Sequence, residues 1–148
     1  MSQYHLAQLN IATMLAPIDS PELADFVANL DRINAAAESA PGYVWRLQSD
    51  DGDATAFRPF GDDILVNLSV WEDVEALHDY VYRSDHAKIM SRRKDWFEMM
   101  RQASVVLWWL PVKELPTLEQ AKEKLELLHA NGPSATAFTF KQSFPAPS

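Results

Sequence analysis

Residues 64–71 read Ile-Leu-Val-Asn-Leu-Ser-Val-Trp, and this stretch decides the fold. β-Branched and large apolar residues dominate it, which predicts a strand. Because alternate residues point to opposite faces of a strand, one face is aliphatic throughout, whereas the other carries Asn67, Ser69 and Trp71. A strand of this kind belongs in a sheet that is covered on both faces.

The segments on either side of this strand predict a split βαβ arrangement. Upstream, we expect a strand over 4–12, then a helix that begins at 20–22 and ends before 41–42, and a second strand over 43–48. Ser20 is expected to cap this helix, and Val27 to lie in its apolar stripe. Downstream, a helical region over 73–100 with a break near 83–84 precedes a fourth strand over 104–110. The order β-α-β-β-α-β predicts an α+β, ferredoxin-like fold with a four-stranded antiparallel sheet.

The remaining C-terminal segment adds a helix and a tail to this core. Thr117 and Gln120 have the spacing of a capping box, which predicts a third helix. Phe138, Phe140 and Phe144 indicate that the tail packs against the domain. We therefore expect one domain over 1–148, with a ferredoxin-like core over about 4–111 and the helix and tail over 112–148.

Composition limits the classes of function. The chain has 148 residues, no cysteine and a net charge of −8, so disulfides and thiolate chemistry are excluded, and nucleic-acid or membrane binding is disfavoured. No apolar run approaches the roughly 20 residues of a membrane span, and no signal peptide is visible at the start. We expect a cytoplasmic protein.

A second layer is needed on the sheet face opposite the two crossover helices. The fourth strand, residues 105–110, is apolar on both faces, which indicates that neither face meets solvent. A second copy of the chain could supply that layer as a homodimer. Alternatively, the C-terminal helix and tail could cover it within one chain.

Uncharged polar residues provide a candidate site. Gln8 and Asn10 share one face of the first strand, and Asn67 and Ser69 share one face of the third. The four side chains form a single polar row only if both strands turn these faces to the same side of the sheet. The alternation of side chains along each strand does not determine this.

On the second helical region, His86 and Arg93 are two turns apart beside apolar residues. A buried histidine is most often a core residue, but a buried guanidinium needs an acceptor. Five tryptophans either fill the core or line a pocket for a flat apolar ligand. The four histidines show no metal-binding spacing and no common catalytic motif occurs, so we expect no metal site.

Several segments together carry a family resemblance, namely HLAQLN at 5–10, PGYVWR at 41–46, NLSVWE at 67–72, RRKDWF at 92–97, LWWLP at 107–111 and AFTF at 137–140. With these segments, the whole chain resembles the domain of unknown function 3291 family. That family falls within the antibiotic-biosynthesis-monooxygenase superfamily of dimeric α/β barrels.

The resemblance implies a dimeric barrel whose superfamily includes cofactor-free oxygenases and haem-degrading enzymes. In the haem-degrading relatives, an asparagine on the first strand, a tryptophan ending the third and a histidine on the second helix form the site. Asn10, Trp71 and His86 occupy similar positions. The insertion around 57–61 and the C-terminal extension depart from those relatives, and either could fill the equivalent cleft.

Three functions follow as hypotheses. The first is a binding domain for a flat apolar or aromatic ligand, without a cofactor. The second is a cofactor-independent monooxygenase, in which Asn10, Asn67 and Arg93 stabilise a phenolate and His86 acts as acid or base, with Trp71 as a wall. The third is haem binding, with His86 as the axial ligand.

Overall fold

The computed structural model describes residues 3–48, 57–83, 88, 91–99 and 102–147. Its strands are β1 (Tyr4–Thr13), β2 (Tyr43–Arg46), β3 (Ile64–Trp71) and β4 (Val105–Pro111). Its helices are α1 (Ala24–Ser39), α2 (Val74–Arg83), α3 (Arg93–Trp96) and α4 (Leu118–Asn131), and a short 3-10 turn at Pro21–Leu23 precedes α1. None of the helices among these residues is long and apolar enough to cross a bilayer.

The four strands form one antiparallel sheet in the order β2-β3-β1-β4. The two central strands, β1 and β3, pair from Leu6 opposite Trp71 to Thr13 opposite Ile64. This topology confirms the predicted α+β, ferredoxin-like split βαβ fold.

The two faces of the sheet have different covers. Helices α1 and α2 pack on one face, where Leu6, Trp71 and Leu107 lie in the core. Helix α4 packs on the other face, where its Ala121, Leu125 and Leu128 join the aliphatic residues of all the central strands. Helix α4 of the same chain therefore covers the sheet face opposite α1 and α2, on the side of β1 and β4.

The tail returns around the edge of β4. Phe138 forms a reciprocal pair of backbone hydrogen bonds with Leu107, both of 2.8 Å, and its side chain is fully buried. Trp109 Nε1 donates to the carbonyl oxygen of Phe144 at 2.9 Å. The prediction that the tail packs against the domain is confirmed. Its Phe138, Phe140 and Phe144 pack on the face of α1 and α2, whereas Ala137 joins the core beneath α4.

Local details of the helices agree only in part with the sequence. Thr117 Oγ1 accepts a hydrogen bond from the Gln120 amide at 3.0 Å, which confirms the predicted cap of α4. Ser20 was expected to cap the first helix, but its hydroxyl donates to Pro17 instead, and the 3-10 turn begins without a side-chain cap. Val27 was expected in the apolar stripe of α1 but is 41% exposed.

Candidate functional site

The polar residues of β1 and β3 lie on the same face of the sheet. Gln8 pairs with Ser69 and Asn10 pairs with Asn67, so the two polar faces coincide. Gln8 Nε2 donates to Asn67 Oδ1 at 2.6 Å and to Ser69 Oγ at 2.7 Å. Since Gln8 and Ser69 are each only 6% exposed, these bonds satisfy groups that water does not reach.

The polar row also fixes the indole ring at the end of β3. Trp71 Nε1 donates to Ser69 Oγ at 2.9 Å, so that hydroxyl accepts from two side chains. The phenol of Tyr80 on α2 stacks on the indole with 5.0 Å between ring centroids, and Tyr43 meets it edge-on at 5.7 Å. Trp71 is thus held by one hydrogen bond and two aromatic contacts in a single orientation.

A cavity of about 300 Å³ lies between this polar row and the helices. Its floor is the sheet, and its walls come from α1, α2 and α3. Its lining includes Asn10, Asn67, Trp71, Arg46, Arg93 and Phe140. The cavity combines apolar walls with a few convergent polar groups, as ligand-binding pockets do.

Four of the five predicted site residues line this cavity. Asn10 is half-buried, Asn67 is exposed towards the open side, and Trp71 is buried. Arg93 also lines the cavity, but it is exposed, and the expectation that its guanidinium is desolvated is wrong. His86 lies outside the described residues.

Arg46 is a cavity residue that the sequence analysis missed. It is only 8% exposed and pairs with Ser69 across the sheet. A bulge between Tyr43 and Trp45 shifts the register of β2. Without the bulge, alternation would turn Arg46 to the opposite face, so the shift directs it into the cavity. The quoted segment PGYVWR contained Arg46, but no local signal marked the bulge.

The contacts of the Arg46 guanidinium are long. Its Nε is 3.7 Å from Glu38 Oε2 and, although buried, has no hydrogen-bond partner among the described residues. Its Nη2 donates to Gln48 Oε1 at 3.4 Å. Glu38 is 45% exposed, so solvent screens the ion pair.

Tyr80 is a neutral phenol at physiological pH. Burial raises its pKa well above the ordinary value, and the nearby Arg46 charge lowers it only in part. Its hydroxyl donates to the carbonyl oxygen of Ile33 on α1 at 3.0 Å. Tyr80 therefore ties α2 to α1 above the indole and is unsuited to act as a base.

Other polar groups nearby are held at the surface. Arg92 is exposed and donates to Asp25 at 3.1 Å and to Asp95 at 3.2 Å, and these hydrogen bonds raise its pKa. Its guanidinium carbon also lies 4.7 Å from the centre of the Trp96 ring. Within the described parts of the chain, no three or more His, Cys, Asp or Glu side chains are grouped so as to hold a metal ion.

The two departures from the relatives leave the cavity open. Phe57 and Phe60 of the insertion pack on the core beneath α4, which is the opposite face of the sheet. The tail contributes Phe140 to the cavity lining, and this ring also contacts Tyr82 and His78 with centroid distances of 6.0 and 5.8 Å. The tail thus narrows the cavity at one side without filling it.

The fold is similar to those of three solved structures. SnoaB, a cofactor-independent oxygenase from Streptomyces nogalater, is 17% identical with a TM-score of 0.51 over 76% of this chain and 98% of that chain. PA3566 from Pseudomonas aeruginosa is 17% identical with a TM-score of 0.49 over 78% and 98% of the two chains. NE2512, a protein of unknown function from Nitrosomonas europaea, is 15% identical with a TM-score of 0.46 over 78% and 97%.

At these identities, the likeness to SnoaB establishes the fold and nothing further. Among curated proteins, none matches this sequence. A family model does match, and it spans residues 5–148, which is nearly the whole chain. The chain therefore belongs to the family described as domain of unknown function (DUF3291).

Proposed function

We propose that the protein binds a flat, largely apolar small molecule in the cavity between the sheet and α1. The observation that carries this proposal is the hydrogen-bonded row Gln8–Asn67–Ser69–Trp71, which faces an open cavity of about 300 Å³. A fold selected only for stability would cover these apolar walls, since leaving them open to water forgoes the free energy of burying them.

The size and chemistry of the cavity restrict the ligand. Its volume is at the lower end of the range of about 300–1,000 Å³ that small-molecule sites occupy, which favours a ligand of no more than three fused rings. The walls include the aromatic rings of Phe26, Trp96 and Phe97, against which a flat ring can stack. Asn10 and Asn67 offer amide groups that can meet one or two ligand oxygens.

Binding of a two-ring aromatic amide tests this function. We expect 2-naphthamide to saturate at one molecule per chain and to quench tryptophan fluorescence, because Trp71 and Trp96 line the cavity. Ala12→Trp places a large ring on the cavity floor and should abolish binding. Ala130→Trp, on the exposed side of α4, adds the same fluorophore away from the cavity and should bind like the parent. Native mass spectrometry of freshly purified protein would reveal any retained natural ligand.

Failure of this proposal has a clear signature. If 2-naphthamide, 2-naphthol and 2-naphthoate all fail to bind, and no small molecule is retained, then the cavity is not a binding site. Equal binding by the parent and Ala12→Trp would place the probe elsewhere on the protein.

A second candidate is cofactor-independent oxidation of an electron-rich phenol. The side-chain amides of Asn10 and Asn67, which line the cavity, favour it, because neutral N–H donors can stabilise a phenolate. SnoaB has a similar fold and is described as a cofactor-independent oxygenase. In this reaction the substrate anion gives an electron to O₂, and an anthrone CH₂ becomes a carbonyl as one oxygen atom leaves in water. The acid–base role falls to His86 and remains a prediction.

Oxygen uptake decides between binding and oxidation. We expect turnover of an anthrone without added metal or flavin, and about a 10²-fold lower rate in Asn67→Leu, because one oxyanion donor is lost. No uptake across a panel of anthrones and hydroquinones would leave a binding protein.

Haem binding also remains a prediction, and the small cavity disfavours a porphyrin.

We also propose that two chains associate as a homodimer of α/β barrels. Helix α4 covers the sheet at β1 and β4, but Val44, Trp45, Leu47 and Phe60 on the side of β2 are only partly buried. This apolar strip would pair with the same strip of a second copy.

A further inference from the structure

The charge of the cavity lining is opposite to that of the protein. The chain has 21 acidic against 13 basic residues. Among the described residues that line the cavity, however, Arg46 and Arg93 carry positive charge, and none is Asp or Glu. A recess of one sign with apolar walls concentrates its field inside, so the cavity attracts an anion although the surface as a whole repels one.

Arg46 is the residue at which an anion would be held most strongly. It is nine-tenths buried, and its Nε has no hydrogen-bond partner in the part of the chain that the structure describes. Removing a guanidinium from water costs free energy that good ion pairs and hydrogen bonds must offset. The Glu38 carboxylate at 3.7 Å and the Gln48 oxygen at 3.4 Å are both too distant to do so fully.

Arg93 has a different role because it is exposed. An exposed guanidinium adds little to the affinity of a bound ion, since water and salt screen it. It can attract an approaching anion at the open side of the cavity. The buried Arg46 can then form the charge-assisted hydrogen bonds that retain it.

We propose that the ligand is an aromatic carboxylate and that Arg46 recognises its carboxylate group. This inference rests on the proposed binding function and names the ligand class. The planar guanidinium matches the geometry of a carboxylate. One buried arginine balances one negative charge, whereas a phosphate would bring close to two. The ring of the ligand would lie along the apolar walls, with Asn10 and Asn67 available for ring oxygens.

Two probes of the same shape test the inference. 2-Naphthoate and 2-naphthamide differ in charge but hardly in size, and calorimetry measures both. We expect the parent protein to bind the naphthoate at least about 10-fold more tightly, as for a hydrogen bond to a charged group. Arg46→Met should weaken naphthoate binding by about 10- to 100-fold while leaving naphthamide binding within about threefold.

Matched variants separate the site from the total charge. Arg83→Met removes the same charge from an exposed arginine that does not line the cavity, and it should bind both probes like the parent. Arg93→Met should weaken naphthoate binding by about threefold or less, because exposed pairs are weak.

The outcomes distinguish this inference from the proposed function. Equal affinity of the parent for both probes overturns the inference and leaves the binding function intact. Binding of neither probe overturns both. If Arg46→Met does not fold, Arg46→Lys takes its place in the test, because lysine keeps the charge but lacks the planar guanidinium. Unchanged naphthoate binding in Arg46→Lys would overturn the assignment to the guanidinium.

Discussion

Gln8 Nε2 lies 2.6 Å from Asn67 Oδ1, and this contact joins the two central strands at the floor of the cavity. The two residues are 59 positions apart in the chain, so the contact exists only once β1 and β3 have paired. The same nitrogen reaches Ser69 Oγ at 2.7 Å. The polar floor therefore depends on the fold as a whole, and its loss should be visible in stability.

Replacing Gln8 with leucine should destabilise the protein by about 1–3 kcal/mol, because the buried Ser69 hydroxyl loses one of its two donors and the Asn67 amide oxygen loses the Gln8 donor. Urea unfolding measures the change. Asn10→Leu, at the half-buried neighbouring position, is the control and should cost less than about 1 kcal/mol. Equal costs for both variants would contradict a special role for the Gln8 amide.

Much of the fold could be predicted from local patterns. The bounds of β3 are as the sequence predicted, and so is the Thr117 cap of α4, because both depend on neighbouring residues. The predicted break near 83–84 reaches residues outside the described part of the chain and stays a prediction. By contrast, the coincidence of the polar faces depends on the register between distant strands, which alternation alone does not fix.

The residues that line the cavity could be predicted only where side chains alternate regularly between the two faces of a strand. Asn10, Asn67 and Trp71 were found because β1 and β3 alternate regularly and pair without a bulge. Arg46 was missed because the bulge in β2 reverses the face on which it lies. Arg93 was expected to be buried from helical spacing, but α3 is only four residues long and presents Arg93 to solvent.

Tyr80 should make stability depend on pH above pH 10. Burial raises the pKa of its phenol, so the folded state keeps a proton that the unfolded chain loses near the ordinary value of about 10. The contribution of Tyr80 to the free energy of unfolding is fully present below about pH 10 and falls by about 1.4 kcal/mol per pH unit above it. Tyr80→Phe should flatten this decline in urea midpoints between pH 8 and pH 11. A variant as steep as the parent would assign the effect to other groups.

At neutral pH, Tyr80→Phe also tests the link between α1 and α2. The hydroxyl donates to the Ile33 carbonyl oxygen at 3.0 Å, and the ring stacks on Trp71. Since phenylalanine preserves the stacking, we expect a cost of only about 0.5–1.5 kcal/mol from the hydrogen bond. Tyr80→Ala, which removes the ring as well, should cost about 3–5 kcal/mol.

Gly42 is needed for the close packing of the α1–β2 turn against α2. Its φ is +84°, and a Cβ there would overlap the side chain of Ala76. Gly132 has a similar φ of +74° but open space around it. We expect Gly132→Ala to cost about 1–3 kcal/mol from backbone strain alone, because φ +74° with ψ −178° suits only glycine, and Gly42→Ala to cost more because of the added overlap.

The overlap can be isolated with a double-mutant cycle. Ala76→Gly removes the methyl group that a Cβ at position 42 would meet. We expect Gly42→Ala to be less destabilising in the Ala76→Gly background than in the parent, with a coupling energy of about 0.5–3 kcal/mol. Additive effects would show that strain at Gly42, and not contact with Ala76, explains its cost.

The homodimer can be tested at the strip of sheet that α4 leaves partly uncovered. Trp45 pairs with Val70 on that face, and the two contribute to the same core cluster. Light scattering at micromolar concentration should give about twice the chain mass of 16.8 kDa. Trp45→Glu places a charge in the proposed interface and should yield a monomer, because an unpaired buried charge is costly. Val27→Glu, on the exposed outer side of α1, should remain dimeric.

A parent protein that is monomeric at every concentration would show that α4 and the partly buried strip suffice to cover the sheet. A dimer that tolerates Trp45→Glu would place the interface on another surface.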